Sequence, residues 1–342
     1  MQTPFTEKKG FRGNPPRIGI ALGGGGARGL AHLGVLMALE EEHIPIHCIS
    51  GTSAGAIIGA MYAQNPDAKT AIEQIKASFS EGIYEQLQLN CLKNASNSSF
   101  LHQFTQRIKR SILISFAQSK RALLSDVCFR DNLTRFIKEG NIEDTKIPFG
   151  IVATSLHSGE DVYFTSGDIL TAVTASSAIS GFLTPVDLNE DLLTDGAVSC
   201  PVPVTLLKDM GAETTIGVEI SNREFTPLEE VNVIEIIARA EMIESIRLSE
   251  MMVKTADVAI CPNTKDIHWS DFSRIDELIE AGLESAREKL PDIHSAIQRM
   301  RPWYRRLYRT PSGIPHALKV ADWGTHSLKK HIYKVARGGR DK

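Results

Sequence analysis

The chain contains 342 residues, of which 42% are hydrophobic, and its formal net charge is −3. Because this length and apolar content are enough to bury a full core, they argue against an intrinsically disordered chain. No window offers the roughly 20 apolar residues that span a bilayer, and the five cysteines lack the paired spacing of a metal or redox site, so we expect a cytoplasmic protein, soluble or peripheral at the inner membrane surface.

A polar segment, residues 1–16, precedes the first predicted strand, Ile18 to Leu22. That strand ends at a glycine-rich loop, Gly23 to Gly29, and the spacing of apolar residues from Leu30 to Glu40 predicts a helix. A loop of this kind exposes successive backbone N–H groups, which can hold either a phosphate or a developing oxyanion.

Two nucleotide-binding alternatives compete with an oxyanion hole in this loop. A P-loop requires Gly-Lys followed by Ser or Thr at the helix start, whereas Arg28-Gly29-Leu30 stands here. Gly24, Gly26 and Gly29 can spell a dinucleotide site, but such a site needs an acidic residue about twenty residues later. An oxyanion hole needs only a nucleophile after the next strand.

A candidate nucleophile follows the second predicted strand, Ile44 to Ile49. The turn Gly51-Thr52-Ser53-Ala54-Gly55 has the G-x-S-x-G pattern of a nucleophile elbow, in which a sharp strand-to-helix turn exposes the serine hydroxyl. Gly51 and Gly55 relieve the crowding of this turn, and the helix that follows directs its N-terminus at Ser53. The same pentapeptide is also typical of a glycine-rich turn that caps a helix.

The segment from Gln86 to Ser125 contains basic but no acidic side chains. Apolar residues recur every fourth position from Phe100 to Phe116, which predicts one apolar stripe on a basic helix. Such a helix docks either on the protein core or on a membrane.

Four further strand-like runs are separated by helical segments: Phe149 to Thr154, Asp161 to Thr165, Thr215 to Ile220 and Val258 to Cys261. Alternation of strands and helices predicts an α/β fold with a mostly parallel central sheet covered on both faces.

A carboxylate, Asp195, begins the tripeptide Asp-Gly-Ala, which on its own is a common turn. Combined with Ser53, this carboxylate can accept the hydroxyl proton during attack, and Gly196 leaves the approach to it open. The alternative base is a histidine after Asp195, as in α/β-hydrolases, for which His268 is the candidate weighed against a solvated surface histidine.

The order of these motifs resembles the patatin-like phospholipase family, closest to its bacterial branch: Gly-Gly-Gly-Ala-Arg-Gly at 24–29, Gly-Thr-Ser-Ala-Gly at 51–55 and Asp-Gly-Ala at 195–197. The resemblance covers roughly Arg17 to Ile220 and includes Thr174-Ala175-Ser176-Ser177-Ala178, which is similar to the block that precedes the family's Asp. It implies a three-layer α/β/α fold, with residues 17–298 as the catalytic domain.

The resemblance also implies the roles of the site residues. Ser53 would be the nucleophile and Asp195 the base of a Ser-Asp dyad. The oxyanion hole would consist of the backbone amides of Gly24, Gly25, Gly26 and Ala27. Arg28 would order the loop, and the remaining motif positions would support it: Gly29, Gly51, Gly55 and Gly196. The implied substrates are fatty acyl esters such as phospholipids or lysophospholipids, without a metal or an organic cofactor.

Residues 299–342 are predicted to form a basic and aromatic appendage, with twelve Lys or Arg against Asp322 and Asp341. Trp and Tyr alternate with arginines from Pro302 to Arg309, which favours an anionic membrane surface, although packing on the acidic remainder of the chain is the alternative. No nucleic-acid partner is expected. Two alternatives from other classes are a nucleotide-binding protein that uses the glycine loop and a membrane-associated scaffold with little turnover. A third, within enzymes, is acyl transfer to an acceptor other than water.

Overall fold

The computed structural model describes residues 16–80, 126–221, 233–264 and 267–299. The predicted amphipathic helix over 100–116 and nearly all of the predicted terminal segments, 1–16 and 299–342, lie outside these residues.

Within the described residues, the strands are β1 (Ile18–Leu22), β2 (Cys48–Thr52), β3 (Phe149–Ser155), β4 (Asp161–Phe164), β5 (Val186–Leu188), β6 (Asp191–Asp195), β7 (Thr214–Val218) and β8 (Val258–Ile260). The α-helices are α1 (Ala31–Glu41), α2 (Ala54–Gln64), α3 (Ala68–Ser80), α4 (Asp126–Leu133), α5 (Ile169–Ser176), α6 (Val204–Asp209), α7 (Val233–Val253) and α8 (Ile275–Arg299). Short 3-10 helices cover Gly26–Leu30, Ile142–Asp144 and Gly196–Val198.

The strands form one sheet, in which hydrogen-bonded neighbours follow the path β5-β6-β3-β2-β1-β7-β8. Strands β2 and β6 pair with successive parts of one edge of β3, and β4 pairs with its opposite edge. Strands β3, β2, β1, β7 and β8 run parallel to one another. Strands β4, β5 and β6 pair antiparallel at the β3 end. The predicted mostly parallel α/β sheet is therefore confirmed, whereas its antiparallel end was not predicted.

Helices cover both faces of this sheet. Alternate residues of each strand point to opposite faces, and apolar side chains on both faces are buried by the helices. Ile18, Ile20 and Leu22 of β1 join the main core with helices α1, α2 and α8. Ala21 belongs to a second core on the other face, with Leu207 of α6 and Val253 of α7. The predicted three-layer arrangement is confirmed.

The second strand differs from its predicted bounds. It begins at Cys48 instead of Ile44 and continues through Gly51 to Thr52. Pro45 has no N–H to donate to a ladder, so pairing with β1 starts only at Cys48. The first two residues of the predicted elbow therefore belong to the strand, and the turn itself is confined to Ser53.

No helix among the described residues combines the length and the apolar character needed to cross a membrane.

Candidate active site

Strands β2 and β6 bring Ser53 and Asp195 together, because their C-terminal ends lie next to each other along β3. The last residue of β2, Thr52, lies opposite Val152, and the last residue of β6, Asp195, lies opposite Ala153. Because β4 occupies the other edge of β3 at these positions, both strand ends lie on the same edge. The residue after β2 and the residue at the end of β6 are therefore neighbours.

The Ser53 hydroxyl donates a hydrogen bond to Asp195, with 2.6 Å between Oγ and Oδ2. The other carboxylate oxygen of Asp195, Oδ1, accepts from the backbone N–H of Ala197 at 2.8 Å. Both side chains are buried, at 6% relative exposure each. The carboxylate is thus oriented by one main-chain donor and one hydroxyl donor.

Ser53 occupies a strained backbone conformation, with φ of 54° and ψ of −120°, before the first residue of α2. Its backbone N–H donates to the hydroxyl of Ser176 in α5, with 2.9 Å between the two atoms. Positive φ at a residue other than glycine is uncommon and is maintained by the surrounding packing. Ser176 was not assigned a role from the sequence, although it lies in the block that resembles the family.

The two glycines of the elbow are required by close packing. A Cβ on Gly55 would lie 2.0 Å from the carbonyl oxygen of Leu22 in β1. A Cβ on Gly51 would lie 2.5 Å from the carbonyl oxygen of Gly55. Helix α2 therefore starts in direct contact with the sheet, which aims its N-terminus at Ser53.

Burial raises the pKa of Asp195 to about 6, and the hydrogen bonds from Ser53 and Ala197 partly offset this effect. Desolvation disfavours the charged carboxylate, whereas donors favour it. A carboxylate with a pKa near neutrality is ionised at physiological pH and is still basic enough to accept a proton.

The glycine loop lies against the nucleophile, since a Cβ on Gly24 would be 3.3 Å from Cβ of Ser53. Two of the four predicted oxyanion donors are already engaged, because the N–H of Gly24 donates to Pro201 and that of Ala27 donates to Trp269. The N–H groups of Gly25 and Gly26 donate to no atom of the described residues. The geometry therefore narrows the candidate oxyanion hole to Gly25 and Gly26.

The side chains of Arg28 and His32 form hydrogen bonds to main-chain carbonyl groups of the glycine loop. Nε of Arg28 donates to the carbonyl oxygen of Gly25 at 3.3 Å, and burial lowers the pKa of this guanidinium while Glu219 opposes the effect. Nε2 of His32 lies 2.8 Å from the carbonyl oxygen of Gly23 and must carry the proton to donate to it. Burial lowers the pKa of His32 to about 4, so this ring is neutral at physiological pH. The anchoring by His32 was missed from the sequence.

The remaining motif glycines are also positions of close approach. A Cβ on Gly29 would lie 2.5 Å from Cβ of Ala54, beside the nucleophile. A Cβ on Gly196 would lie 2.2 Å from the carbonyl oxygen of Val152. Gly196 is thus required by its contact with β3, which is a different reason from the open approach to Asp195 that was predicted.

A cavity of about 350 Å³ opens beside Ser53. It follows α2 from Ser53 past Ile57 to Met61, a distance of about 12 Å along the helix axis. Its other apolar walls come from α3, α4 and three connecting segments: Ile75, Phe79, Phe129, Leu133, Phe136, Ile179, Phe182, Trp269 and Phe272. Such a lining favours a long apolar group and offers few partners to a phosphate.

The histidine alternative receives no structural support within the described residues. Nδ1 of His268 lies 2.7 Å from the hydroxyl of Ser270. In this part of the chain the hydrogen-bond partners of the Ser53 hydroxyl and the Asp195 carboxylate are each other and the N–H of Ala197, and none of them is a histidine. The same part of the chain contains no group of three or more His, Cys, Asp or Glu residues arranged to hold a metal ion.

A serine at a strained strand-to-helix turn, a carboxylate bonded to its hydroxyl and an apolar cavity beside both are typical of serine hydrolases that act on apolar esters. The family model described as patatin-like phospholipase matches residues 20–208, more than half of the chain. The chain therefore belongs to the patatin-like phospholipase family, as the sequence motifs predicted, and membership supports a lipid hydrolase.

The chain is also similar to individual proteins and to one solved structure. A patatin-like phospholipase domain-containing protein of Caenorhabditis elegans is 28% identical over 303 residues, which cover 81% of this chain and 21% of the relative. An uncharacterized NTE family protein of Mycobacterium tuberculosis is 30% identical over 214 residues, covering 62% of this chain and 51% of the relative. The chain thus spans about a fifth to a half of the length of these relatives. The crystal structure of VipD from Legionella pneumophila aligns with a TM-score of 0.41 at 13% identity, over 83% of this chain and 67% of that one.

Proposed function

We propose that the chain is a serine hydrolase of lipid acyl esters, with Ser53 as the nucleophile and Asp195 as the base. The observation that carries this proposal is the 2.6 Å hydrogen bond from the Ser53 hydroxyl to the buried carboxylate of Asp195. A nucleophile bonded directly to its base needs no third member to transfer the proton.

In the first half of the reaction, Oγ of Ser53 attacks the ester carbonyl carbon while its proton passes to Asp195. The resulting tetrahedral oxyanion accepts hydrogen bonds from the N–H groups of Gly25 and Gly26. Collapse of this intermediate breaks the bond to the alcohol oxygen, which takes the proton from Asp195 and leaves. The acyl group then remains attached to Ser53.

In the second half, a water molecule attacks the acyl carbonyl carbon and gives its proton to Asp195. Collapse of the second tetrahedral intermediate breaks the bond to Oγ of Ser53, which regains the proton from Asp195. The products are a carboxylic acid and the regenerated serine, so no cofactor is consumed.

The apolar cavity supports a fatty acyl chain as the group transferred, because its walls are aliphatic and aromatic over about two turns of α2. Burial of such a chain contributes about 0.8 kcal/mol for each CH₂ group removed from water. We therefore propose phospholipids or lysophospholipids as the substrate class.

Labelling with a fluorophosphonate probe tests the proposal, because the probe reacts covalently with an activated serine. The wild-type chain should become labelled and the Ser53→Ala variant should not. Ser199→Ala is the matched control, since the Ser199 hydroxyl also donates to a carboxylate, that of Asp161, but lies outside the elbow. Labelling that persists in Ser53→Ala contradicts the proposal. A wild type that stays unlabelled also contradicts it, because a nucleotide-binding protein or an inactive scaffold would not react with the probe.

The basic segment 299–342 lies outside the described residues, and its membrane role is proposed from the sequence. Each basic residue near an anionic surface contributes about 1 kcal/mol to binding. Sedimentation with anionic liposomes should therefore retain the full chain better than a chain that ends at Met300. Equal binding of the two proteins would contradict this role.

A further inference from the structure

Trp269 contacts both the glycine loop and the cavity. Its carbonyl oxygen accepts a hydrogen bond from the N–H of Ala27 at 2.6 Å. Trp269 also lines the cavity that opens beside Ser53. One residue thus connects the loop that carries the candidate oxyanion donors with the space that receives the acyl chain.

The contact between Trp269 and the loop is close enough to determine the loop conformation. Gly26 has φ of 61°, and a Cβ at this position would lie 2.3 Å from the Trp269 carbonyl oxygen and 3.2 Å from its ring atom Cε3. Gly26 is also one of the two residues whose N–H remains free to bind an oxyanion. A displacement of Trp269 would therefore move the donor itself.

The ring of Trp269 also packs against the ring of Phe182. The two rings pack edge to face, with centroids 5.2 Å apart and planes at 87°. Phe182 also lines the cavity and follows α5, whose Ser176 accepts the hydrogen bond from the Ser53 N–H. The pair Trp269–Phe182 therefore lies between the glycine loop, which Trp269 contacts, and the segment after α5, the helix that carries Ser176.

We propose that Trp269 is a positioning residue that couples the acyl cavity to the glycine loop. An acyl chain that packs on the indole ring presses it against Phe182 and keeps the Trp269 carbonyl on Ala27, which orients the N–H groups of Gly25 and Gly26. This inference rests on the proposed hydrolase function of Ser53 and Asp195. It predicts that a long acyl chain raises kcat in addition to lowering KM.

The neighbouring residue Phe272 provides a matched control. It lines the same cavity, but its ring stacks on Phe79 of α3, with centroids 5.3 Å apart. A substitution of Phe272 removes apolar contact with the chain but keeps Trp269, whose carbonyl oxygen accepts the hydrogen bond from Ala27. Loss of binding contact raises KM, whereas misorientation of oxyanion donors lowers kcat.

Steady-state kinetics with p-nitrophenyl acetate, butyrate, hexanoate and octanoate separate these effects. In the wild type, kcat should rise by about tenfold from acetate to octanoate, and Trp269→Ala should abolish this rise. Trp269→Phe, which keeps an aromatic ring, should retain part of it, and Phe272→Ala should raise KM for octanoate while the rise in kcat remains. Circular dichroism verifies that each variant is folded.

The coupling is overturned if wild-type kcat is the same for all four esters, or if Trp269→Ala keeps the rise and changes only KM. A wild type that hydrolyses none of the esters would contradict the proposed function, and the coupling would fail with it.

Tryptophan fluorescence tests the contact with the acyl chain without any turnover. Trp303→Phe and Trp323→Phe together leave Trp269 as the remaining tryptophan of the chain. Titration with a fatty acid brominated along its chain should quench this emission saturably, whereas the unbrominated acid should not. Absence of saturable quenching overturns the inference even where esters are hydrolysed.

Discussion

At the residue scale, the proposed chemistry depends on how burial changes the pKa of one carboxyl group, that of Asp195. Asp195 is buried beside Ser53, and its pKa rises to about 6 because desolvation outweighs two hydrogen bonds. A protonated Asp195 cannot accept the proton of the Ser53 hydroxyl. The site should therefore be active only where this carboxyl is ionised.

This leads to a pH prediction for the esterase reaction. The value of kcat/KM for a water-soluble ester should be constant above neutrality and fall by about tenfold per pH unit below about pH 6, as Asp195 becomes protonated. Initial rates measured between pH 4.5 and 8, with circular dichroism at each pH as a folding control, test it. A profile that stays flat down to pH 5 would show that Asp195 is not the base.

The same pKa predicts a pH-dependent stability. The folded protein binds the Asp195 proton more tightly than the unfolded chain, whose Asp pKa is about 3.9. The protonated Asp195 therefore contributes to the free energy of unfolding, fully below about pH 3.9, and this contribution is lost as the pH rises through 6. Asp195→Asn should therefore gain stability relative to wild type between pH 4 and pH 7, by up to about 3 kcal/mol.

Urea unfolding at both pH values measures this difference. Asp187→Asn, on the neighbouring strand β5 and exposed to solvent, is the control substitution. A difference between Asp195→Asn and wild type that is the same at pH 4 and pH 7 would contradict the account.

The sequence predicted both members of the Ser53–Asp195 pair, although 142 residues separate them. Each lies in a short motif whose residue types are demanded by local geometry. The engagement of the Ala27 N–H could not be predicted, because its acceptor, Trp269, lies in a polar segment without a motif and meets the loop only in the folded chain. His32 was missed for a similar reason, since its partner is a main-chain carbonyl.

At the element scale, the site exists because β2 and β6 end against consecutive residues of β3. The parallel strands could be predicted from their apolar runs, which are buried on both faces. Strands β5 and β6 could not be predicted in this way. Each is short and contains acidic residues, and each pairs antiparallel with its neighbour over only three positions. The position of Asp195 therefore came from its motif and not from a predicted strand.

A glycine contact between helices α1 and α8 gives a prediction at this scale. A Cβ on Gly282 of α8 would lie 1.9 Å from the carbonyl oxygen of Ala31 in α1. Because the obstacle is backbone, Gly282→Ala should lower the free energy of unfolding by about 1–3 kcal/mol, despite the better helix propensity of alanine.

Chemical denaturation of Gly282→Ala beside Glu284→Ala measures this cost. Glu284 is exposed one half-turn further along α8, so its substitution reports the effect of alanine without the clash. Unchanged or increased stability of Gly282→Ala would mean that the two helices are not packed as closely as described.

At the scale of the whole molecule, the family match ends at residue 208, but the described protein continues to use later segments. Trp269 and Phe272 complete the cavity, and α8 packs on α1 beside the main core. Sequence motifs predicted the matched part most fully because its glycines and its Ser53–Asp195 pair are constrained locally. The later part acts through packing, for which a single sequence carries little signal.

The central claim is that Ser53 and Asp195 release fatty acids from acyl lipids. The most direct test incubates the purified full chain with phospholipid and lysophospholipid and quantifies the fatty acid released, beside the Ser53→Ala, Asp195→Asn and Ser199→Ala variants. We predict release by wild type and Ser199→Ala, and a loss of at least about a thousandfold in the other two variants. Fatty acid release by Ser53→Ala at the wild-type rate would contradict the account.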